Sequence, residues 1–140
     1  MDRRKLLGVL GVAAAASALP VPGQHEHHMQ GMARQPLIDS AGACTVAAEA
    51  CLTHCVDLMA AGDKSLQACT VCSREVLAVC NALRSLAAQN SPHLAALAMV
   101  SAEVCKSCET ECNKHTQHAA CKTCAEACAT CATECTKTAA

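Results

Sequence analysis

The chain has 140 residues, no aromatic side chain and a formal net charge of −1 at pH 7. Because it offers neither a basic surface nor stacking aromatic rings, nucleic acid is excluded from the expected partners. The length suits one domain, and an apolar content dominated by Ala and Cys favours closely packed helices over strands. The 14 cysteines indicate either a disulfide scaffold or a metal site.

Residues 1–18 have the pattern of an export signal. A basic Arg-Arg-Lys run precedes the apolar segment 6–16 and the small-x-small cleavage pattern Ala-Ser-Ala. The apolar segment is too short to span a membrane. The paired arginines resemble a twin-arginine signal, although Asp2 and Leu6 depart from its usual residues and an ordinary secretory signal is the alternative. We therefore predict a periplasmic protein with no membrane attachment after cleavage.

Residues 19–36 are predicted to be a flexible segment rich in His and Met. Pro20, Pro22 and Gly23 argue against a stable helix at its start. Imidazole and thioether groups are both copper ligands, and the segment carries His25, His27, His28, Met29 and Met32. Two interpretations of this segment are therefore kept: it captures metal ions, or it is a simple solvated tail.

The remaining residues, 37–140, are predicted to form an all-α domain. Helices are expected over residues 37–61, 65–89, 92–114 and 117–137, with Pro36 or Pro92 next to a helix start and Gly62 or Asn90 just after a helix end. The predicted N-terminal caps are Asp63 or Ser65, Ser91, and Thr116. Such short connections predict an antiparallel, up-down-up-down four-helix bundle.

Cysteines recur on each of these helices at helical spacing. The last helix contains CKTCAEACATCATEC, whose five cysteines follow the seam that a bundle helix turns toward its partners. The same spacing on the other helices predicts that thiols line the interior. The predicted metal-binding cysteines are Cys44, Cys51, Cys55, Cys69, Cys72, Cys80, Cys105, Cys108, Cys112, Cys121, Cys124, Cys128, Cys131 and Cys135.

The antiparallel topology should make the two ends of the bundle different. His54, Met59, His115 and His118 are expected at one end together with thiols, and we call this end the mouth; of these, Met59, His115 and His118 are the predicted ligands. The other end, which we call the aliphatic end, collects side chains such as Leu37, Leu83, Leu86, Leu94 and Leu97. His54 is expected at the surface or an interface, Met99 in the core, and Val100 on the inward stripe of the third helix. Metal ions should load through the mouth.

The chemistry of the thiols distinguishes between disulfide formation and the metals that the cysteines could bind. Helix neighbours have Cβ atoms about 5–6 Å apart, too far for a disulfide, although pairing between helices remains possible. Zinc held by four thiolates leaves a buried dianion, and iron–sulfur clusters use loop spacings that differ from these. Cu(I) prefers soft sulfur ligands, and one thiolate per ion leaves no net charge. We therefore predict storage of many Cu(I) ions.

Other functions remain alternatives. Zinc or general thiophilic-metal sequestration for detoxification is one, and a disulfide-stapled structural or redox protein is another. No set of nucleophile, base and oxyanion donors is recognisable, so we do not expect an enzyme.

The cysteine pairs resemble those of the bacterial copper storage proteins. The resemblance covers about residues 37–137 and is carried by CxxxC and CxxC pairs such as Cys51/Cys55 and Cys69/Cys72 and by the cysteine series 105–112 and 121–135. It implies a homotetramer, Cu(I) as the bound ion, and His or Met ligands at the mouth. Copper exchange with a copper chaperone or a copper-requiring enzyme is the expected partnership. The exported branch of that family also has a twin-arginine signal.

Overall fold

The computed structural model describes the backbone of residues 22–140 and the side chains of residues 33–140. Four α-helices follow one another: α1 over Pro22–Ala60, α2 over Gln67–Ala88, α3 over Leu94–Cys112 and α4 over Ala119–Ala139. A 3-10 turn, Asn113–His115, precedes α4. Each helix packs against its two neighbours in a closed ring, because α1 and α3 both contact α2 and α4. The predicted all-α four-helix bundle is confirmed; the predicted signal at residues 1–18 lies outside the described residues.

The first helix begins earlier than predicted. It starts at Pro22, so Pro36 lies inside the helix and is not its first residue. A proline at the first turn is tolerated because its missing N–H would have no helical partner there. The internal Pro36 removes one backbone hydrogen bond from the helix, and its own ring is exposed.

The two predicted left-handed residues are confirmed. Gly62 has φ of 98° after α1, and Asn90 has φ of 52° after α2. Glycine adopts this conformation without steric cost, and asparagine is among the few other residues that tolerate it. These residues end α1 and α2 and allow the short connections of the bundle.

The predicted N-terminal caps are wrong in position. The Asp63 carboxylate accepts the Ser65 backbone N–H at 2.9 Å, and the Ser91 hydroxyl accepts the His93 N–H at 3.2 Å. Both bonds stabilise the turns that precede α2 and α3, whose capping positions are held by other residues. Thr116 does not cap α4, because the 3-10 turn delays the helix start to Ala119.

The core consists of cysteine with small and aliphatic side chains. All 14 cysteines are buried, and only Cys72, with 8% of its surface exposed, retains any solvent contact. Leu37, Leu83 and Leu94 close the aliphatic end, as predicted. Sulfur therefore replaces aliphatic carbon along most of the interior.

The inward face of α3 differs from the prediction in its first turns. Met99 is 61% exposed and Val100 is 52% exposed, whereas Ser101 is completely buried. Counting back from Cys105 by three or four residues reaches Ala102 or Ser101, whereas five residues back lies on the opposite face. The thiols of the second half of α3 thus determine which side chains of its first half point inward.

Candidate metal centre

Four sulfurs from three helices meet near the mouth. The Cys51 Sγ lies 3.5 Å from the Cys69 Sγ, 3.8 Å from that of Cys121 and 3.9 Å from that of Cys55. All four sulfurs lie within 4.8 Å of one another. The i,i+4 spacing on α1 supplies two of these sulfurs, while α2 and α4 supply one each.

A second group of four sulfurs lies toward the aliphatic end. It takes one cysteine from each helix, Cys44, Cys80, Cys105 and Cys131, and these sulfurs also lie within 4.8 Å of one another. The Cys80 and Cys131 sulfurs are 3.8 Å apart, and Cys135 extends the group through its 4.0 Å contact with Cys131. The site requires all four helices to be in register.

Three groups of three sulfurs connect these two clusters. Their members are Cys51, Cys112 and Cys124; Cys69, Cys72 and Cys112; and Cys108, Cys124 and Cys128. The shortest contact joins Cys69 to Cys112 at 3.3 Å, and a 3.6 Å contact between Cys44 and Cys128 reaches the second cluster. The structure therefore brings all 14 predicted thiols into one continuous column.

Shared membership in these groups bears on which metal fits. Four cysteines each belong to two groups: Cys51, Cys69, Cys112 and Cys124. Tetrahedral sites built from these groups would have to share thiolates, so each site cannot have four thiolates of its own. A metal–sulfur bond of about 2.3 Å allows one ion to link sulfurs up to about 4.6 Å apart, which covers these contacts. A soft ion of low coordination number that accepts bridging thiolates suits this arrangement, and Cu(I) has those properties.

Burial and mutual hydrogen bonding divide the thiols between protonated and ionised forms. Desolvation raises the pKa of Cys55, and it raises that of Cys121 to about 12. The hydrogen bond from Cys112 is the main cause that lowers the pKa of Cys51 to about 6. Protonated thiols such as Cys55 and Cys121 must lose their protons before they bind a metal as thiolates. Metal loading therefore releases protons.

The mouth contains a histidine pair that the sequence did not predict. The His54 Nε2 lies 3.0 Å from the His118 Nδ1, with the ring centroids 4.9 Å apart. His54 was expected at the surface or an interface, yet it is half-buried beside the predicted ligand His118. The available signal was the position of His54 next to Cys55, near the end of α1 that faces the start of α4.

The other two predicted mouth residues have different partners. The Met59 sulfur lies 3.4 Å from the Thr70 hydroxyl, which donates to the Leu66 carbonyl, and the His115 Nε2 lies 3.4 Å from the Glu111 carboxylate. Both residues are partly buried. The structure thus pairs His118 with His54 and holds Met59 and His115 in separate contacts.

A four-helix bundle with a continuous buried column of thiols defines a class of multi-ion metal-binding protein. The family described as Copper storage protein matches residues 30–140. Because this match covers most of the chain, the protein belongs to the copper storage protein family.

Individual relatives agree with this assignment. The chain is 32% identical over 89 residues to the uncharacterized cysteine-rich protein YhjQ of Bacillus subtilis (strain 168), a match covering 55% of this chain and 82% of the relative. Apo copper storage protein 3 from Bacillus subtilis superimposes with a TM-score of 0.69 at 31% identity, covering 76% of this chain and 99% of that one. The Cu(I)-bound copper storage protein BsCsp3 gives a TM-score of 0.69 at 30% identity, covering 76% and 98%.

Proposed function

We propose that this protein stores many Cu(I) ions on the thiolates inside its bundle. The observation that carries the proposal is the continuous column of 14 buried sulfurs arranged in overlapping groups. The similarity to a Cu(I)-bound bundle supports it. Copper is the cargo of this bundle, and we propose that the protein is not an enzyme.

The 14 cysteines are the proposed ligands, and the mouth is the proposed route of loading. Met59, His115 and His118 would receive ions before they pass to Cys55 and Cys121. The contact between His54 and His118 adds His54 to this group. At the opposite end Leu37, Leu83 and Leu94 are almost completely buried, which supports one-sided loading.

Assembly, location and exchange partners complete the proposal. Exposed apolar side chains on three helices support a homotetramer, since such surface is commonly buried between subunits; they are Val46, Val56, Val71, Met99 and Val100. Residues 1–18 would direct export to the periplasm by the twin-arginine route. Ions would be exchanged with a copper chaperone or a copper-requiring enzyme, and the His/Met-rich segment 19–36 would assist capture.

One stretch of α1 bears on the location. Among the described residues, Ala33–Ala60 is long and apolar enough to cross a membrane by length and composition alone. Its inward face carries Cys44, Cys51 and Cys55, which contact sulfurs of the other helices. We therefore propose that this stretch is a core helix of the bundle and does not span a membrane.

Anaerobic titration of the reduced protein with Cu(I), against a competing chelator, tests the proposal. We expect saturation near one ion per cysteine, because bridging thiolates serve more than one ion. Saturation at three or four ions would contradict high-capacity storage and favour separate four-thiolate sites, as zinc would require. A parallel zinc titration measures that alternative directly, and light scattering measures the oligomeric state.

A further inference from the structure

Two serine hydroxyls in the core have no hydrogen-bond partner in the described part of the chain. Ser73 on α2 and Ser101 on α3 are both completely buried. The Oγ atom of each is buried and unpaired. An unpaired buried hydroxyl loses its bonds to water without replacement, which disfavours the folded state. A cysteine or alanine at either position would avoid this loss.

Other hydroxyls in these helices do find partners. The usual solution is to donate to the backbone carbonyl one turn earlier, as Thr45 does to Ala41 at 2.9 Å. The same local bond is made by Thr53, Thr70, Ser107, Thr110, Thr130, Thr133, Thr136 and Thr138. For Ser73 the corresponding carbonyl, that of Cys69, already accepts the Cys72 thiol at 3.2 Å. Ser101 also has a helical carbonyl one turn earlier, yet neither serine makes this local bond, and both hydroxyls are buried.

Each of these serines lies one helical turn from a buried cysteine on the inward face of its helix. Ser73 follows Cys72 directly and lies one turn beyond Cys69, on the inward face of α2. Cys69 in turn contacts the Cys51 sulfur at 3.5 Å. Ser101 lies one turn before Cys105 on the inward face of α3. Each serine therefore adjoins one of the two groups of four sulfurs.

Metal loading makes these sulfurs stronger hydrogen-bond acceptors. A neutral thiol is a weak hydrogen-bond acceptor, whereas a hydrogen bond to an ionised acceptor is considerably stronger. When Cu(I) replaces the thiol proton, a sulfur–copper bond forms, the proton passes to solvent, and no electron is transferred. The sulfur that remains is thiolate in character. A neighbouring hydroxyl then gains a stronger acceptor at each sulfur that was protonated in the metal-free core.

We propose that Ser73 and Ser101 are positioning residues for the copper-loaded core, in which their hydroxyls donate to cysteine sulfurs that hold Cu(I). The Ser73 hydroxyl donates to a sulfur of the group that contains Cys51. The Ser101 hydroxyl donates to a sulfur of the group that contains Cys105. This inference rests on the proposed storage function and deepens it. Outer-shell hydrogen bonds orient metal ligands, and their loss commonly weakens metal binding by about 10–100-fold. The two serines thus disfavour the empty state and stabilise the full one.

The test uses Ser73→Ala and Ser101→Ala in the otherwise unaltered mature protein, each compared in two states. Thermal unfolding is measured without metal, and Cu(I) retention is measured against bathocuproine disulfonate after full loading. We expect an unchanged or higher unfolding midpoint in the empty state. In the loaded state, the most easily removed ions should leave at about tenfold lower chelator concentration. Ser107→Ala, which removes an exposed hydroxyl from α3, is the matched control and should leave copper retention unchanged.

A hydroxyl with a purely structural role gives the opposite pattern. A lower unfolding midpoint in the empty state, together with wild-type copper retention for both serine variants, would overturn the inference. The two proposals fail separately. Low capacity in the wild-type protein refutes storage itself, whereas full wild-type loading with unaltered retention in both variants refutes only the role of the serines.

Discussion

Replacing Cys51 with alanine tests whether the sulfur groups share their members. Cys51 contacts three sulfurs within 3.9 Å and belongs to two groups, whereas Cys135 contacts only Cys131, at 4.0 Å. If ions bridge neighbouring thiolates, removing Cys135 should lower capacity by about one ion and removing Cys51 by about two or three. The two substitutions each delete one completely buried sulfur, so Cys135→Ala is the matched control.

The assay is anaerobic Cu(I) titration of both variants, followed by thermal unfolding of the metal-free proteins. Each substitution should cost roughly 1 kcal/mol of apo stability, as expected for removing about one buried methylene equivalent. Similar unfolding midpoints would show that any difference in capacity arises from the sulfur network. Equal losses of one ion in both variants would refute the bridging of shared thiolates.

Four further outcomes are expected from the structure. Loading at neutral pH should release about one proton per ion, because thiols such as Cys121, whose pKa is about 12, are protonated before they bind. The affinity for Cu(I) should therefore fall as the pH falls. A pH-stat titration without proton release would contradict this. Cys72, the only cysteine with measurable exposure, should react first with a thiol reagent in the metal-free protein. Peptide mass mapping identifies the labelled cysteine, and earlier labelling of another cysteine would contradict the burial pattern. His118→Ala should slow copper uptake in stopped-flow absorbance without changing the capacity of the cysteines. His93→Ala, which removes an exposed histidine at the start of α3, is the control and should not slow uptake. Equal rates for the wild type and His118→Ala would remove His118 from the loading route. Gly62→Ala should lower stability by about 1 kcal/mol, because φ is 98° there and no atom lies near the added Cβ to compensate; an unchanged melting temperature would disagree.

The cysteine column could be predicted because its signal is periodic. Cysteines three or four residues apart on a helix must share a face, and the antiparallel topology then determines which of them meet. Gly62 and Asn90 were predictable for a similarly local reason, since few residues tolerate a left-handed conformation. These features depend on residue type and spacing, both of which the sequence contains.

Features that depend on neighbouring helices were harder to predict. Val100 is apolar, but the rotation of α3 is determined by Cys105 and its partners, so the smaller Ser101 occupies the core instead. The sequence placed His54 at the mouth, but its pairing with His118 was missed because the two residues are distant in sequence and meet only when α1 and α4 are in register. The start of α1 was misplaced since Pro36 can be read either as a helix start or as a tolerated interior residue.

The self-contained backbone of each helix has an evolutionary consequence. Helical hydrogen bonds are made within one segment, so an inward position can exchange cysteine for alanine or leucine without altering the pairing of any other backbone group. The border between sulfur and aliphatic carbon lies between Cys80 and Leu83 on α2 and between Ala98 and Cys105 on α3. Moving that border by one turn would lengthen or shorten the column in small steps. Capacity in such a bundle is therefore a graded trait that single substitutions can adjust while the architecture persists.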